Sequence, residues 1–229
     1  MKGGRNYLIV RNVANTSRMS TFKEVTKTIR AWNLNQYFQI NKTEMVITSK
    51  LNGYQVIFYG LDDVDKVRSA TAEKGVITDC LLEESTEMRK DDVTHLRKRL
   101  RGPSKLNKRI TFIFNPIFRS HWLFEKYFAG KFNDDDNKYE DENMLILKTM
   151  YKDNLRFLEQ DDIDELENEE DEYFYNVFTL GKWGILGDII FKNWKVEDLS
   201  DQIPQFDNIR NGLDFGFAKD PATYNRIHY

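Results

Sequence analysis

The chain has one cysteine and three histidines in 229 residues, and each scarcity removes a class of protein. A lone Cys80 cannot form a disulfide within the chain, which fits a reducing compartment, and its place inside an apolar run marks it as a small buried hydrophobe. His95, His121 and His228 are scattered and no paired cysteines exist, so the chain carries no zinc-site pattern. No apolar stretch approaches the roughly 18 residues of a membrane-spanning helix, and Met1-Lys2-Gly3-Gly4-Arg5 has no apolar signal region behind it. The phosphate-cradling pattern G-x-x-x-x-G-K-[ST] does not occur either. Gly3-Gly4-Arg5 is too short, and Gly130-Lys131 runs directly into Phe132.

What the chain does have is a segregation of charge beneath a net value of only -3. Residues 1 to 132 carry 24 Lys and Arg against 13 Asp and Glu, and residues 133 to 172 carry 4 against 17. A basic half suits a polyanion, whose neutralised phosphates release counterions. The densest basic cluster is Arg97, Lys98, Arg99, Arg101, Lys105, Lys108 and Arg109. It reads equally as a solvated surface or as a nucleic-acid contact, because the sequence does not orient these side chains.

Strands alternate with helices along the first half. Tyr7-Leu8-Ile9-Val10 is a strand, and a capping box at Thr21 and Glu24 predicts a helix whose Phe22, Val25, Ile29 and Trp32 share one face. Met45 to Thr48 and Tyr54 to Tyr59 form a hairpin around Asn52-Gly53, and Asp62 to Ser69 reads as a short helix. Then come the apolar strand Ile77 to Leu82, a basic helix from about Asp92 to Leu100, a Gly102-Pro103 break and a strand from Arg109 to Phe114. Residues 133 to 142 read as an acidic loop, Met144 to Met150 as a strand and Asp161 to Phe178 as one helix. Asp198 to Ile209 is a linker candidate, followed by a terminal hairpin that turns at Asp220-Pro221. The alternation argues for an α/β layer structure on a mainly parallel sheet.

Ile77-Thr78-Asp79-Cys80-Leu81-Leu82-Glu83-Glu84-Ser85 is the most informative segment. A continuous apolar run is the mark of a buried parallel strand, and ligands of open α/β sheets sit beyond the carboxyl ends of such strands. One carboxylate there can hold magnesium through its waters while its neighbour activates the attacking water. The competing reading is a strand entering a helix whose first turn favours acids.

Taken together, the segments resemble the large subunit of the tailed-phage terminase. Leu8-Ile9-Val10-Arg11 followed by Ser17-Arg18-Met19-Ser20-Thr21-Phe22 is similar to the family's strand and arginine-bearing segment after the phosphate loop. Phe58-Tyr59-Gly60-Leu61-Asp62-Asp63 with Lys66 and Ser69, the strand ending in Glu83-Glu84, and Thr111-Phe112-Ile113-Phe114-Asn115-Pro116 with His121-Trp122 resemble its later motifs. Tyr151-Lys152-Asp153-Asn154, Gly181-Lys182-Trp183-Gly184 and Gly212-Leu213-Asp214-Phe215-Gly216 continue the match in order.

The resemblance implies a P-loop NTPase-like domain over 1–180, a hinge over 181–209 and the first hairpin of an RNase H-like nuclease over 210–229. It implies ATP and magnesium as cofactors, with magnesium or manganese for the nuclease. Glu83 would lie in the magnesium sphere and Glu84 would be the catalytic base. Thr111 and Asn115 would couple γ-phosphate loss to the grip on DNA, Arg11 and Arg18 would contact phosphate or stabilise charge across a subunit boundary, and Asp214 would be a nuclease metal ligand. Double-stranded DNA would be the substrate, met by Arg97, Lys98, Arg99, Arg101 and Lys105. The portal protein, the terminase small subunit and further copies in a ring would be partners in the host cytoplasm, with no membrane. The missing phosphate loop and the single nuclease carboxylate give the expectation of a fragment that lacks both activities and associates through exposed edges. A non-catalytic nucleic-acid-binding module on a degenerate nucleotide-binding fold is the alternative.

Overall fold

Parallel strands covered on both faces need apolar side chains at consecutive positions. In the computed structural model, β1, Asn6–Arg11, meets that need with Leu8 and Val10 on one face and Ile9 on the other, all buried. A helix follows in three pieces: α1, Ala14–Ser17, a π-helical turn over Arg18–Phe22, and α2, Lys23–Ala31. Next come β2, Phe38–Asn41, β3, Val46–Ser49, and β4, Gln55–Gly60. β5, Ile77–Glu83, leads through α3, Lys90–Arg97, to β6, Arg109–Ile113.

These six strands make one sheet in the order β2-β3-β4-β1-β5-β6. The pairs β4–β1, β1–β5 and β5–β6 are parallel, and β2–β3 and β3–β4 are antiparallel, so the centre of the sheet is parallel. One core, with Leu8, Val10, Ile57, Cys80 and Leu82, packs against Val93 and Leu96 of α3. The other, with Ile9, Ile47 and Phe58, packs against Phe22 and Ile29. Burial pushes the Cys80 thiol up to about 12, as expected of a buried hydrophobe.

Asn6 fastens the starts of these strands. It is fully buried, its Nδ2 donates to the carbonyls of Lys74 at 2.6 Å and Val76 at 3.1 Å, and its Oδ1 accepts from the Gln55 amide at 2.8 Å. A buried amide is retained only with its partners in place, and here it ties three segments together.

The structure describes residues 4–61, 70–98, 100–184, 202–214 and 223–228. They fall into two units, Met1–Gly187 and Asp188–Tyr229. The expected helix over Asp62–Ser69 lies outside the described residues. In the first unit β6 gives way to an aromatic cluster. Buried Trp183 packs on Phe114, Phe124 and Phe128, and Trp122 Nε1 donates to the Met88 carbonyl at 2.9 Å. β7, Lys138–Glu140, and β8, Leu145–Leu147, form a small hairpin where the sequence suggested a loop and then a strand. The single helix expected over Asp161–Phe178 is broken into α4, Gln160–Glu167, α5, Glu172–Phe174, and a π turn over Tyr175–Thr179. Asp171 makes the break by capping the new helix, accepting from the Phe174 amide at 3.0 Å. In the second unit β9, Ile209–Asp214, pairs antiparallel with β10, Thr223–His228.

Two local expectations fail for tertiary reasons. The helix does not start at the Thr21 capping box but at Ala14, and the Thr21 side chain is engaged elsewhere. β2 was not anticipated, because Phe38-Gln39-Ile40-Asn41 is too short to show a pattern until β3 pairs with it.

Candidate active site

The register brings three strand ends to one edge of the sheet. Val10 pairs with Leu82 and Glu83 with Ile113, so Arg11, Glu83 and the end of β6 lie together at the carboxyl edge. Successive strand residues point to opposite faces, which would part Glu83 from Glu84. Glu84 avoids that outcome by adopting the left-handed conformation, φ 52 and ψ 51. That backbone is costly for a residue with a side chain and is characteristic of functional sites.

Both carboxylates then meet one guanidinium. Arg11 Nε lies 3.5 Å from Glu83 Oε2, its second terminal nitrogen lies 3.6 Å from Glu84 Oε1, and its first donates to Ser20 Oγ at 2.7 Å. The Arg11 side chain is 14% exposed, those of Glu83 and Glu84 29% and 39%. Arg11 Nε is buried without a hydrogen-bond partner, so the cluster is loosely closed around its arginine. Thr21 Oγ1 donates to Glu83 Oε2 from the π turn. Ser20, Thr21, Lys23, Val25 and Glu83 line a cleft of about 670 Å³.

Thr111 sits in β6 opposite Leu81, on the face that carries Glu83, and is exposed. Asn115 is exposed just beyond the strand end. The side chain of Arg18 lies outside the described residues, although its backbone belongs to the π turn. Asp214 ends β9 in the second unit, and its side chain also lies outside them. Arg97, Lys98, Arg101 and Lys105 are exposed, and Arg99 is outside the described residues. The loop that carries Arg101 and Lys105 sits at the other end of β5, where a side chain on Gly102 would press against Val76.

That opposite end has its own cluster. Asp79 binds Arg5 at 2.7 Å and Arg109 at 2.8 Å, and Thr78 Oγ1 donates to it at 2.7 Å. Burial pushes the Asp79 carboxyl up, but the hydrogen bonds from Arg5, Thr78 and Arg109 and the Arg109 charge outweigh it, leaving it below the ordinary value of 3.8. Arg109 of the basic cluster is thus committed to the fold.

A family model described as phage terminase large subunit matches residues 1–182. The chain belongs to the phage terminase large subunit family. It is 28% identical to the large terminase subunit of Bacillus phage SPP1 over 232 residues, covering 97% of this chain and 53% of the relative. Among solved structures it is similar in fold to the large terminase of a thermophilic bacteriophage, with a TM-score of 0.62 at 16% identity over 98% of this chain and 52% of the other. The same thermophilic phage's terminase in complex with ATP-γ-S matches with a TM-score of 0.54 at 16% identity, over 98% of this chain and 51% of that one. The chain therefore spans about half the length of the terminases it matches. The mixed sheet with its parallel centre is the fold the sequence led us to expect of a terminase ATPase domain.

Sequence reasoning missed Thr21 as a partner of Glu83. No signal in the sequence marked it, because the burial of the small polar Ser17 five residues before Phe22 is visible only in the fold.

Proposed function

We propose that the chain supplies the hydrolytic carboxylates of an ATP-driven motor that packages double-stranded DNA. The observation that carries the reading is the pairing of Glu83 and Glu84 around Arg11 at the carboxyl edge of a parallel sheet. Magnesium keeps several waters and binds through one or two carboxylates plus substrate phosphates rather than an all-protein cage. The donor set fits that habit, since two part-exposed carboxylates are at hand on one guanidinium. When bound, magnesium neutralises charge that develops on the phosphate oxygens.

Glu83 is the carboxylate for the metal's waters. Glu84, more exposed and freed from the strand by its left-handed backbone, orients the attacking water and takes its proton. Thr111, on the face that carries Glu83, and Asn115, just beyond the end of β6, couple loss of the γ-phosphate to the DNA grip. Arg11 holds both carboxylates in cis, and Arg18 is kept as a phosphate contact. ATP is the nucleotide that the thermophilic phage terminase's complex with ATP-γ-S supports. Residues 1–180 form the ATPase part, 181–209 a hinge and 210–229 part of an RNase H-like nuclease in which Asp214 holds magnesium or manganese. The portal protein, the small subunit and further copies in a ring are the partners in the host cytoplasm. Among the described residues no helix is long and apolar enough to cross a membrane.

The test is Glu84→Gln in a polypeptide where this chain is joined behind the phosphate-loop segment of a family relative. ATP affinity should stay within about threefold while turnover falls about 100-fold or more, the scale of a lost general base. Equal losses in both would make Glu84 a structural residue.

A further inference from the structure

Thr21 and Glu83 are 62 residues apart in sequence, yet the Thr21 hydroxyl donates to Glu83 Oε2. Arg11 Nε approaches that same oxygen at 3.5 Å. A hydroxyl donor and a guanidinium charge thus converge on Oε2, and among the described residues Oε1 has no hydrogen-bond or ion-pair partner. We propose that Thr21 is a positioning residue for Glu83, holding one carboxylate oxygen so that the other is presented to a magnesium-bound water. The proposal rests on the reading of Glu83 as the metal-side carboxylate.

The local backbone shows how Thr21 is delivered. Buried positions along the helix are Ser17, Phe22, Thr26 and Ile29, with spacings of five, four and three. The five-residue step coincides with the π-helical turn over Arg18–Phe22. In an uninterrupted α-helix the residue four after Ser17 would take the next core position, and that residue is Thr21. The extra residue passes the core position to Phe22, whose ring meets Phe58 edge-on at 5.1 Å, and leaves Thr21 on the flank beside Glu83. Such single-turn insertions recur at functional sites. Ser20 follows the same logic, accepting from Arg11 at 2.7 Å. One irregular turn therefore supplies both hydroxyls that order the carboxylate–arginine cluster.

A glutamate side chain at 29% exposure has rotamer freedom to lose, and a fixed donor on one oxygen removes it before the metal arrives. Partners of this outer kind change metal affinity by about 10–100-fold when removed.

The experiment uses the 229-residue chain and Mn²⁺ alone as probe, read by paramagnetic broadening of NMR signals from Thr111 and Ile113 on the neighbouring strand. Glu83→Gln should abolish the site-specific broadening. Thr21→Val, close in shape but without the hydroxyl, should raise the Mn²⁺ concentration for half-broadening about tenfold, and Thr21→Ser should restore it to within about twofold. Wild-type broadening in Thr21→Val, with loss in Glu83→Gln, overturns the role of Thr21 and leaves the metal-side reading standing. Unchanged broadening in Glu83→Gln overturns both. A double-mutant cycle of Thr21→Val and Glu83→Ala, which removes the acceptor, in urea unfolding guards against a merely misfolded variant. The two unfolding constants should be non-additive by about fivefold, and strict additivity would show that the two side chains do not interact.

Discussion

At its amino end β5 presents Asp79 to Arg5 and Arg109 at 2.7 and 2.8 Å, with the carboxylate 9% exposed. At its carboxyl end it presents Glu83 and Glu84 to Arg11 at 3.5 and 3.6 Å, with the carboxylates 29% and 39% exposed. The groups are alike, and the closure is not. At one end two arginines and Thr78 converge on a single acid; at the other a single arginine, whose Nε lacks a hydrogen bond, is shared by two acids, with Thr21 serving Glu83 alone. A saturated carboxylate has nothing left to offer a ligand and serves the fold, whereas an under-saturated pair can exchange a protein contact for a ligand.

The comparison breaks most visibly at Asp79. Asp79→Asn removes the charge between two guanidinium groups and should lower the free energy of unfolding by about 2–3 kcal/mol in urea denaturation. A change below about 0.5 kcal/mol would place Asp79 with the loosely held acids. Next in size is the exposed charge near that end. Replacing Arg97, Lys98, Arg101 and Lys105 together by Ala should weaken binding to double-stranded DNA about tenfold or more near 0.1 M salt and flatten the dependence of log affinity on log salt. An unchanged slope would take DNA away from this surface.

Acid sharpens the contrast further. Asp79 has a folded-state value below its ordinary 3.8, so its stabilisation is complete above about pH 4 and is lost as pH falls through the lower value. Wild-type stability should carry this acid-labile component, and Asp79→Asn should lack it when unfolding is followed from about pH 5 to about pH 2. The smallest effect is expected at the open end. Glu83→Gln should change the unfolding free energy by no more than about 0.5 kcal/mol, the scale of partly exposed ion pairs.

Local patterns revealed most of the sheet. The apolar runs of β1 and β5, the Asn52-Gly53 hairpin and the strand after the Gly102-Pro103 break were legible because each depends on its own residues. The adjacent acids were legible as a pair at a strand end. Their geometry was not, since nothing in Glu84 announces a left-handed backbone, and the Thr21 capping box gave a sound local rule that a contact 62 residues away overrode. Charge counting likewise found the basic cluster, but not that Arg109 is consumed by Asp79.

Trp183 has a mechanical consequence. Its ring is gripped by Phe114, Phe124 and Phe128, and the next residue, Gly184, lies so close to the Ile117 carbonyl and the Tyr173 ring that a side chain would not fit. Residues 183 and 184 are therefore fastened to the end of β6, because Phe114 directly precedes Asn115. A side chain placed at 184, or loss of the Trp183 ring, should in turn disturb the end of β6 where Asn115 sits.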